Sequence, residues 1–168
     1  MAYPDESVID SFRLREDVAS YSGSLSGATI EHFRTIILDH YRDRRRDFPW
    51  RRTTDPYHIL VSEVMLQQTQ ADRVAEKFEA FILRFPTMES LAAAELSDVL
   101  SAWQGLGYNR RGMMLHRLAR MVMDEYGGSV PDTEDDLVRL PGIGRATAAA
   151  ICVYAVNRPL VYIEPNIR

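Results

Sequence analysis

The sequence predicts an all-α protein. Apolar residues recur at the three- and four-residue spacing of helices along most of the chain, and no segment alternates apolar and polar residues as a half-buried strand does. Capping residues, prolines and glycines separate the periodic segments. With 168 residues, of which 46% are hydrophobic and 26% charged, the chain has the size and composition of one globular domain or slightly more.

The first half of the chain predicts an irregular lead-in and three helices. Residues 1–28 are rich in serine, glycine and acidic residues, so we expect a mobile arm there. Helical spacing from Ile30 to Tyr41 predicts the first helix. Asp55 and Pro56 are a typical cap and first-turn residue, and they predict a second helix that runs through the Gln67–Gln68 region. The apolar face of a third helix consists of Val74, Phe78, Phe81 and Ile82.

The second half predicts two short helices and a longer one. The short helices cover Met88 to Ala94 and Ser97 to Trp103, and the turn Gly105-Leu106-Gly107 follows them. The longer helix ends at Gly127-Gly128, because paired glycines favour a helix stop. No apolar run is long enough to cross a membrane or to direct export, so we expect a cytoplasmic protein.

A glycine-rich turn, Leu140-Pro141-Gly142-Ile143-Gly144, is the most informative segment. It lies between an acidic helix that begins with the capping box Thr133-Glu134-Asp135-Asp136 and an alanine-rich helix that Asn157-Arg158-Pro159 ends. Gly142 and Gly144 can adopt backbone angles closed to other residues, and they let a phosphate approach the amides of the following helix. The turn therefore predicts a nucleic-acid-binding hairpin over about residues 133–156; an ordinary helical corner is the alternative.

The charge distribution is mixed. A net charge of −4 disfavours a nucleic-acid partner, but acidic residues concentrate partly in the N-terminal arm, and 19 of the 20 basic residues are arginine, which binds phosphate well. Two arginine clusters predict local basic patches, with a solvated helix face as the alternative for each. Their members are Arg42, Arg44, Arg45, Arg46, Arg51 and Arg52, and then Arg110, Arg111, Arg117 and Arg120.

The cysteine and histidine content disfavours a metal centre. A single cysteine, Cys152, can form neither an internal disulfide nor a cysteine-ligated metal site, and the four histidines show no ligand spacing. We expect Cys152 to be a small buried apolar residue.

Glu63 is the first candidate catalytic residue. Nearly all its neighbours between Ile59 and Leu66 are apolar, so we expect a desolvated carboxyl group with a raised pKa, as a general acid near neutral pH requires. Gln67 shares its helix face, and Gln68 follows. A buried glutamate with a purely structural hydrogen bond is the alternative.

Glu164 is a second carboxylate of interest. It follows the apolar run Leu160 to Ile163 and precedes Pro165. Cleaving a bond to a sugar carbon builds positive charge on the sugar, so a second, ionised carboxylate could stabilise that cation while the first protonates the leaving group. The sequence alone does not bring Glu63 and Glu164 together, and a surface cap is the alternative for Glu164.

Five blocks of sequence together resemble adenine DNA glycosylases of the MutY type, within the helix-hairpin-helix (HhH-GPD) superfamily. They are Trp50-Arg51, Pro56-Tyr57, Ser62-Glu63-Val64-Met65-Leu66-Gln67-Gln68-Thr69-Gln70, Gly105-Leu106-Gly107-Tyr108 and Leu140-Pro141-Gly142-Ile143-Gly144. The resemblance runs from about residue 30 to the end.

The resemblance implies an HhH-GPD fold of two helical modules with the target base flipped into the cleft between them. Residues 29–56 would begin the terminal module. Residues 57–164 would form a helical barrel module that contains the hairpin, and residues 165–168 would begin the return to a terminal module whose C-terminal part is missing here.

The resemblance also implies residue roles. Glu63 matches the glutamate that protonates the flipped adenine, and Gln68 and Tyr108 match positions that enter the duplex near the opposing oxidised guanine. Carbonyls of the hairpin, at Leu140 and Ile143, would hold a monovalent cation. The DNA-binding set that we expect is Arg51, Gln67, Gln68, Thr69, Tyr108, Gly142, Gly144, Arg145 and Thr147.

Three departures from the family pattern shape the expected chemistry. Glu164 occupies the position of a catalytic aspartate and is one methylene longer, and Pro165 replaces a residue that is usually glycine or threonine. Ala146 stands where relatives with lyase activity carry a lysine, and the one lysine, Lys77, lies on a different helix, so we expect base removal without strand cleavage. The four cysteines of the family's iron–sulfur cluster are absent, so we expect no cofactor in this chain.

The sequence therefore predicts a monofunctional glycosylase that acts on double-stranded DNA and excises adenine opposite guanine or 8-oxoguanine. A thymine or uracil mismatch glycosylase of the same fold is one alternative. A non-catalytic helix-hairpin-helix DNA-binding module is the other.

Overall fold

The computed structural model describes residues 25–158 and residue 160. These residues form eight α-helices and one short 3-10 helix, with no strand among them, which confirms the all-α class. The predicted arm up to residue 24, most of the apolar extension and Glu164 lie outside the described residues. The helices are α1 Gly27–Arg44, the 3-10 helix Pro49–Arg51, α2 Pro56–Leu66, α3 Ala71–Arg84, α4 Met88–Ala93, α5 Leu96–Ala102, α6 Arg110–Tyr126, α7 Glu134–Leu137 and α8 Arg145–Val156.

The chain divides into two compact units, Met1–Asp47 and Phe48–Arg168. The predicted module boundary at residue 56 stays a prediction, and the segment just before that residue belongs to the second of these units. The reason is aromatic packing: Phe48 and Trp50 are buried, their rings stack 4.8 Å apart, and Trp50 meets Phe78 edge-on at 5.7 Å. The segment before α2 is therefore part of the second unit's core.

In the first unit, α1 confirms the helix predicted from Ile30 to Tyr41. It begins at Gly27 because the Ser26 side chain caps it, accepting a hydrogen bond from the Thr29 amide at 3.1 Å. None of its residues is buried.

In the second unit, α2 is the central helix and packs against α3, α6 and α8. Asp55 caps it as predicted, since its side chain accepts hydrogen bonds from the Tyr57 and His58 amides at 2.8 and 3.2 Å. The predicted end was wrong: α2 stops at Leu66, because the next residue, Gln67, leaves the helical conformation with a ψ of 111°.

Small residues and glycines allow the remaining helices to approach closely. The buried face of α8 is formed mainly by alanines and includes Cys152, which is fully buried as predicted; this burial raises the pKa of its thiol. Gly112 of α6 lies against the Trp103 indole, and a Cβ added there would be 3.0 Å from the ring. Gly127, with φ of 60°, ends α6 as predicted.

No helix in the described part of the chain is long and apolar enough to span a membrane.

A buried hydrogen bond joins the first turn of α2 to the end of α3. The Tyr57 hydroxyl donates to the Phe85 carbonyl at 2.7 Å, and burial together with the Asp55 carboxylate raises the pKa of Tyr57, so the donor stays protonated. Tyr57→Phe leaves that carbonyl without a donor, and we expect it to lower the free energy of unfolding in urea by about 1–3 kcal/mol. Tyr126→Phe is the matched control, because no described residue bonds its hydroxyl; equal losses in both variants would contradict the prediction.

Candidate nucleic-acid interface and catalytic site

The predicted hairpin is present, and buried apolar side chains anchor it to the second unit. Thr133 caps α7, accepting a hydrogen bond from the Asp136 amide at 3.2 Å and donating one to the Asp136 carboxylate at 2.6 Å. In the turn, the Ile143 amide donates to the Leu140 carbonyl at 3.1 Å. Both of these apolar residues, together with Leu137, are buried. The turn is therefore held in one position relative to the core.

The N-terminus of α8 presents backbone amides without a side-chain cap. Its N-cap residue is Gly144, so no side chain satisfies the amides of the first turn. The helix has twelve residues, and the partial positive charge at such a terminus attracts anions. The first-turn amides of α8 thus have no side-chain acceptor among the described residues.

The two hairpin glycines act for different reasons. Gly142 has a φ of 82°, which residues with a side chain rarely adopt, and a Cβ there would be 3.1 Å from the Met114 Cβ. Gly144 has an ordinary φ of −94°, and no atom lies within 4 Å of the Cβ position. The expectation of special backbone angles is confirmed at Gly142 and is wrong at Gly144, where glycine leaves open space in front of the amides.

Glu63 lies on a partly open stripe of α2. It is half-buried, as are Leu66 and Gln67, three and four residues further on, whereas Ser62 and Val64 beside it are buried. The prediction of a desolvated carboxylate therefore holds only in part. The apolar surroundings are real, but Glu63 itself is only partly buried.

Gln67 connects the glutamate helix to the hairpin. Its side-chain amide donates to the Gly142 carbonyl at 3.1 Å and to the Thr147 hydroxyl at 3.3 Å. Glu63 lies one turn before Gln67 on the same face, so this link joins the helix that carries the carboxylate to the start of α8. The predicted contacts of Gln67 and Thr147 with DNA stay predictions.

Arg111 is the residue whose role the sequence interpretation missed. We expected it in a basic patch, but its guanidinium turns inward at the start of α6 and is half-buried. Its acceptors lie in two loops: the end of α2 with the residues that follow, and the turn before α6. They are the carbonyls of Val64, Met65, Gln67, Leu106 and Gly107, and the hydroxyl of Thr69. Nothing in the sequence marks one arginine of a cluster as internal.

Gln68 and Tyr108 both project from these loops. Both are exposed, and each adopts a left-handed conformation that is uncommon for residues other than glycine, with φ of 56° and 47°. The Tyr108 side chain, 64% exposed, is a large aromatic surface without a covering element among the described residues of its unit. The predicted entry of Gln68 and Tyr108 into the duplex stays a prediction.

Residues 61–161 match the model of a protein family described as the HhH-GPD superfamily base excision DNA repair protein. The chain belongs to this superfamily. The resemblance deduced from the five sequence blocks is therefore confirmed at the level of the superfamily, and the helix-hairpin-helix fold with it.

Relatives of known name extend this assignment. The chain is 38% identical to human adenine DNA glycosylase over 163 residues, which are 92% of this chain and 30% of that protein. It is 44% identical to the adenine DNA glycosylase of Mycolicibacterium smegmatis over 133 residues, which are 79% of this chain and 45% of that protein. The chain thus spans less than half the length of these relatives.

Solved structures agree on the fold. A thermostable thymine-DNA glycosylase superposes with a TM-score of 0.76 at 34% identity, covering 81% of this chain and 63% of that one. An endonuclease III–DNA complex superposes with a TM-score of 0.73 at 21% identity, covering 86% of this chain and 66% of that one. The second similarity shows the fold alone.

The basic residues of this HhH-GPD protein form smaller patches than the sequence predicts. Arg111 leaves the second cluster, while Arg110, Arg117 and Arg120 of α6 are exposed. Arg145, at the start of α8, is exposed and lies 3.7 Å from the Glu134 carboxylate, a distance at which an exposed ion pair contributes little.

The first cluster is divided between the two compact units. Arg42 pairs with Asp39 at 2.7 Å on α1, and Arg51 packs over the Phe48 ring at 5.6 Å in the second unit. The predicted contact of Arg51 with DNA stays a prediction.

Ala146, which we expect at the position of the lysine of lyase relatives, lies in the first turn of α8. Lys77 lies on α3, where its side chain contacts Gly105; a Cβ added to that glycine would be 3.0 Å from the Lys77 Cε. Among the described residues, no group of three or more histidine, cysteine, aspartate or glutamate side chains could hold a metal ion.

Proposed function

We propose that this chain is the glycosylase core of a base-excision enzyme that hydrolyses the N-glycosidic bond of adenine in double-stranded DNA, where adenine is mispaired with guanine or 8-oxoguanine. One observation carries the proposal: the half-buried Glu63 lies one turn before Gln67, whose side chain is bonded to the hairpin that has a phosphate-binding arrangement. The names of the relatives with 38% and 44% identity support adenine as the base.

In the proposed reaction, Glu63 is the general acid. Protonating the flipped adenine makes it a neutral leaving group, and the departing electrons leave a positively charged sugar. Glu164 is the proposed stabilising carboxylate. Its additional methylene displaces the charge relative to an aspartate, and such a displacement is costly at a reacting centre, so we expect a slower reaction than an aspartate in this position would give.

The proposed DNA contacts divide into positioning and insertion. The amides that follow Gly144, with Arg145, would bind a backbone phosphate and set the register of the duplex. Gln68 and Tyr108 would enter the duplex beside the target pair, and Arg51 would contact the backbone.

A monovalent cation fits the hairpin carbonyls only in part. The Gly142 carbonyl accepts a hydrogen bond from Gln67, and the Leu140 carbonyl accepts one from the Ile143 amide. A carbonyl oxygen that accepts one hydrogen bond still has a second lone pair for a cation. The proposed ligands are the carbonyls of Leu140 and Ile143, and the ion would add positive charge beside the phosphate.

We further propose that the enzyme removes the base without cutting the strand. A lyase step needs an amine that attacks the sugar, and Ala146 provides none at the start of α8. With one cysteine, these 168 residues also lack the four thiolate ligands of an iron–sulfur cluster. The proposed location is the cytoplasm, and the nucleoid if the protein is bacterial.

A thymine or uracil mismatch glycosylase is the second candidate. The structural similarity to a thymine-DNA glycosylase, at 34% identity and a TM-score of 0.76, favours it. The two candidates use the same scaffold and differ in the base that the pocket accepts.

Single-turnover assays on five duplexes test the proposal. The duplexes carry adenine opposite 8-oxoguanine, adenine opposite guanine, thymine opposite guanine, uracil opposite guanine, or a matched pair, and each reaction is divided between neutral and alkaline work-up. We expect strand breaks at adenine only and after alkali only, because alkali cleaves the abasic site. Release of thymine or uracil would identify the second candidate, breaks without alkali would identify a lyase, and binding without release would identify a DNA-binding module.

A further inference from the structure

The guanidinium of Arg111 joins two loops that are distant in sequence. One terminal nitrogen donates to carbonyls at the end of α2, at 3.1 Å to Val64, 2.8 Å to Met65 and also to Gln67. The other donates to the Thr69 hydroxyl at 2.8 Å and to the carbonyls of Leu106 and Gly107 at 3.1 and 3.2 Å. A single side chain therefore holds both the segment after Glu63 and the turn before α6.

Two of these acceptors belong to the peptide groups that lead into the left-handed residues. The Gln67 carbonyl precedes Gln68, and the Gly107 carbonyl precedes Tyr108. A left-handed conformation is unfavourable for a residue with a Cβ, and it persists only where surrounding contacts enforce it. Arg111 supplies such a contact at both positions.

The aromatic rings complete the arrangement. The Arg111 guanidinium lies 5.6 Å from the Tyr108 ring centroid and 5.6 Å from that of Trp103, which is fully buried and donates from its indole nitrogen to the Gly107 carbonyl at 3.2 Å. The exposed tyrosine is thereby connected to the core through the guanidinium. A lysine ammonium, a point charge with three donors, cannot replace a planar fork with this many acceptors.

We propose that Arg111 is a positioning residue for recognition of the mispair: it holds Gln68 and Tyr108 together in the conformations with which they enter the duplex. This inference rests on the proposed function, which places these two residues at the target base pair. Because their conformations are set before DNA arrives, binding the mispaired site requires less ordering of the two loops. Binding of a matched duplex depends mainly on phosphate contacts and gains little from this.

The test compares affinities for two duplexes in Arg111→Met, Arg111→Lys and the control Arg110→Met. One duplex carries 2′-fluoro-2′-deoxyadenosine opposite 8-oxoguanine, a probe whose fluorine disfavours the sugar cation and so blocks hydrolysis, and the other is fully matched. We expect the ratio of the two affinities to fall about tenfold in both Arg111 variants. Arg110 is the exposed neighbour of Arg111, and Arg110→Met removes the same charge. This control should weaken binding to both duplexes equally and leave the ratio of affinities unchanged.

Hydrogen exchange on the free protein provides a readout that does not depend on DNA. We expect the amides of residues 67–70 and 106–109 to exchange faster together in the Arg111 variants and at the wild-type rate in Arg110→Met. A general loss of folded protein would lower both affinities alike and would leave the ratio unchanged. If Arg111→Met does not fold, Arg111→Lys decides the question, since it retains the charge and most of the side-chain stem.

The outcomes separate the two proposals. A wild-type ratio in a folded Arg111 variant overturns the positioning role, whether or not exchange increases, and leaves the proposed function intact. If the wild-type chain itself does not distinguish the duplexes, the proposed function fails. In that case hydrogen exchange still tests whether Arg111 holds the two loops. Wild-type exchange rates at residues 67–70 and 106–109 in the Arg111 variants would overturn this part of the inference, and faster exchange would support it.

Discussion

Glu63→Gln is expected to slow adenine release by about 10²–10⁴-fold, the contribution of a positioned general acid. Glutamine has nearly the same shape as glutamate and still forms hydrogen bonds, but it cannot deliver a proton to the departing base. The duplex contacts that we propose for the hairpin, Gln68 and Tyr108 are unaltered by this change. Affinity for a duplex with adenine opposite 8-oxoguanine should therefore stay within about threefold of the wild type, since only the chemical step depends on the proton.

The measurement is the single-turnover rate of abasic-site formation, with affinity measured on the same preparations. Glu125→Gln is the matched control: it removes a carboxylate from the exposed surface near the end of α6, and we expect a wild-type rate. A wild-type rate in Glu63→Gln would remove the general acid from the mechanism. A loss of affinity as large as the loss of rate would instead assign Glu63 to the support of α2.

The local signals in this sequence predict local structure well. Asp55 and Pro56 specify the start of α2, Thr133 specifies the start of α7, and Gly127 specifies the end of α6, because capping and left-handed termination depend on residues within one turn. The hairpin follows from the same kind of signal. These features fix the fold class and the segment in which the proposed phosphate contact lies.

The interactions that organise the site are of a different kind. Arg111 finds acceptors more than forty residues earlier in the chain, and Gln67 finds its own seventy-five residues later. No spacing rule connects such positions, so one arginine of a basic cluster could not be distinguished from its neighbours. The residues that follow the early end of α2 are held by the same arginine.

The hairpin glycines show the same limit, because the sequence assigned the same two reasons, unusual backbone angles and room for a phosphate, to both. Gly144 adopts an ordinary backbone conformation with open space around it, whereas Gly142 needs a positive φ and lies against Met114. Only the folded chain distinguishes a glycine required for its own conformation from one required by an approaching ligand. Alanine substitution at each position separates the two reasons by experiment.

Gly142→Ala is expected to reduce the free energy of unfolding by about 2–4 kcal/mol, the sum of left-handed strain and the displacement of Met114 by a new methyl group. We expect DNA affinity to fall with it, because the turn that carries the amides must move. Urea unfolding and binding to a matched duplex measure the two effects. Wild-type stability in this variant would mean that the turn adopts another conformation at low cost.

Gly144→Ala is expected to do the opposite, and for that reason it is the sharper test of the hairpin. The φ of −94° suits alanine and no atom lies within 4 Å of the new Cβ, so stability should stay within about 0.5 kcal/mol of the wild type. The methyl group nevertheless occupies the space in front of the first amides of α8, where we propose that the phosphate binds. We expect a roughly tenfold loss of affinity that is the same for matched and mismatched duplexes, because a phosphate contact positions the protein and carries no base information. Wild-type affinity in this variant would show that no phosphate approaches Gly144, and the anion site would then have to lie elsewhere on the hairpin.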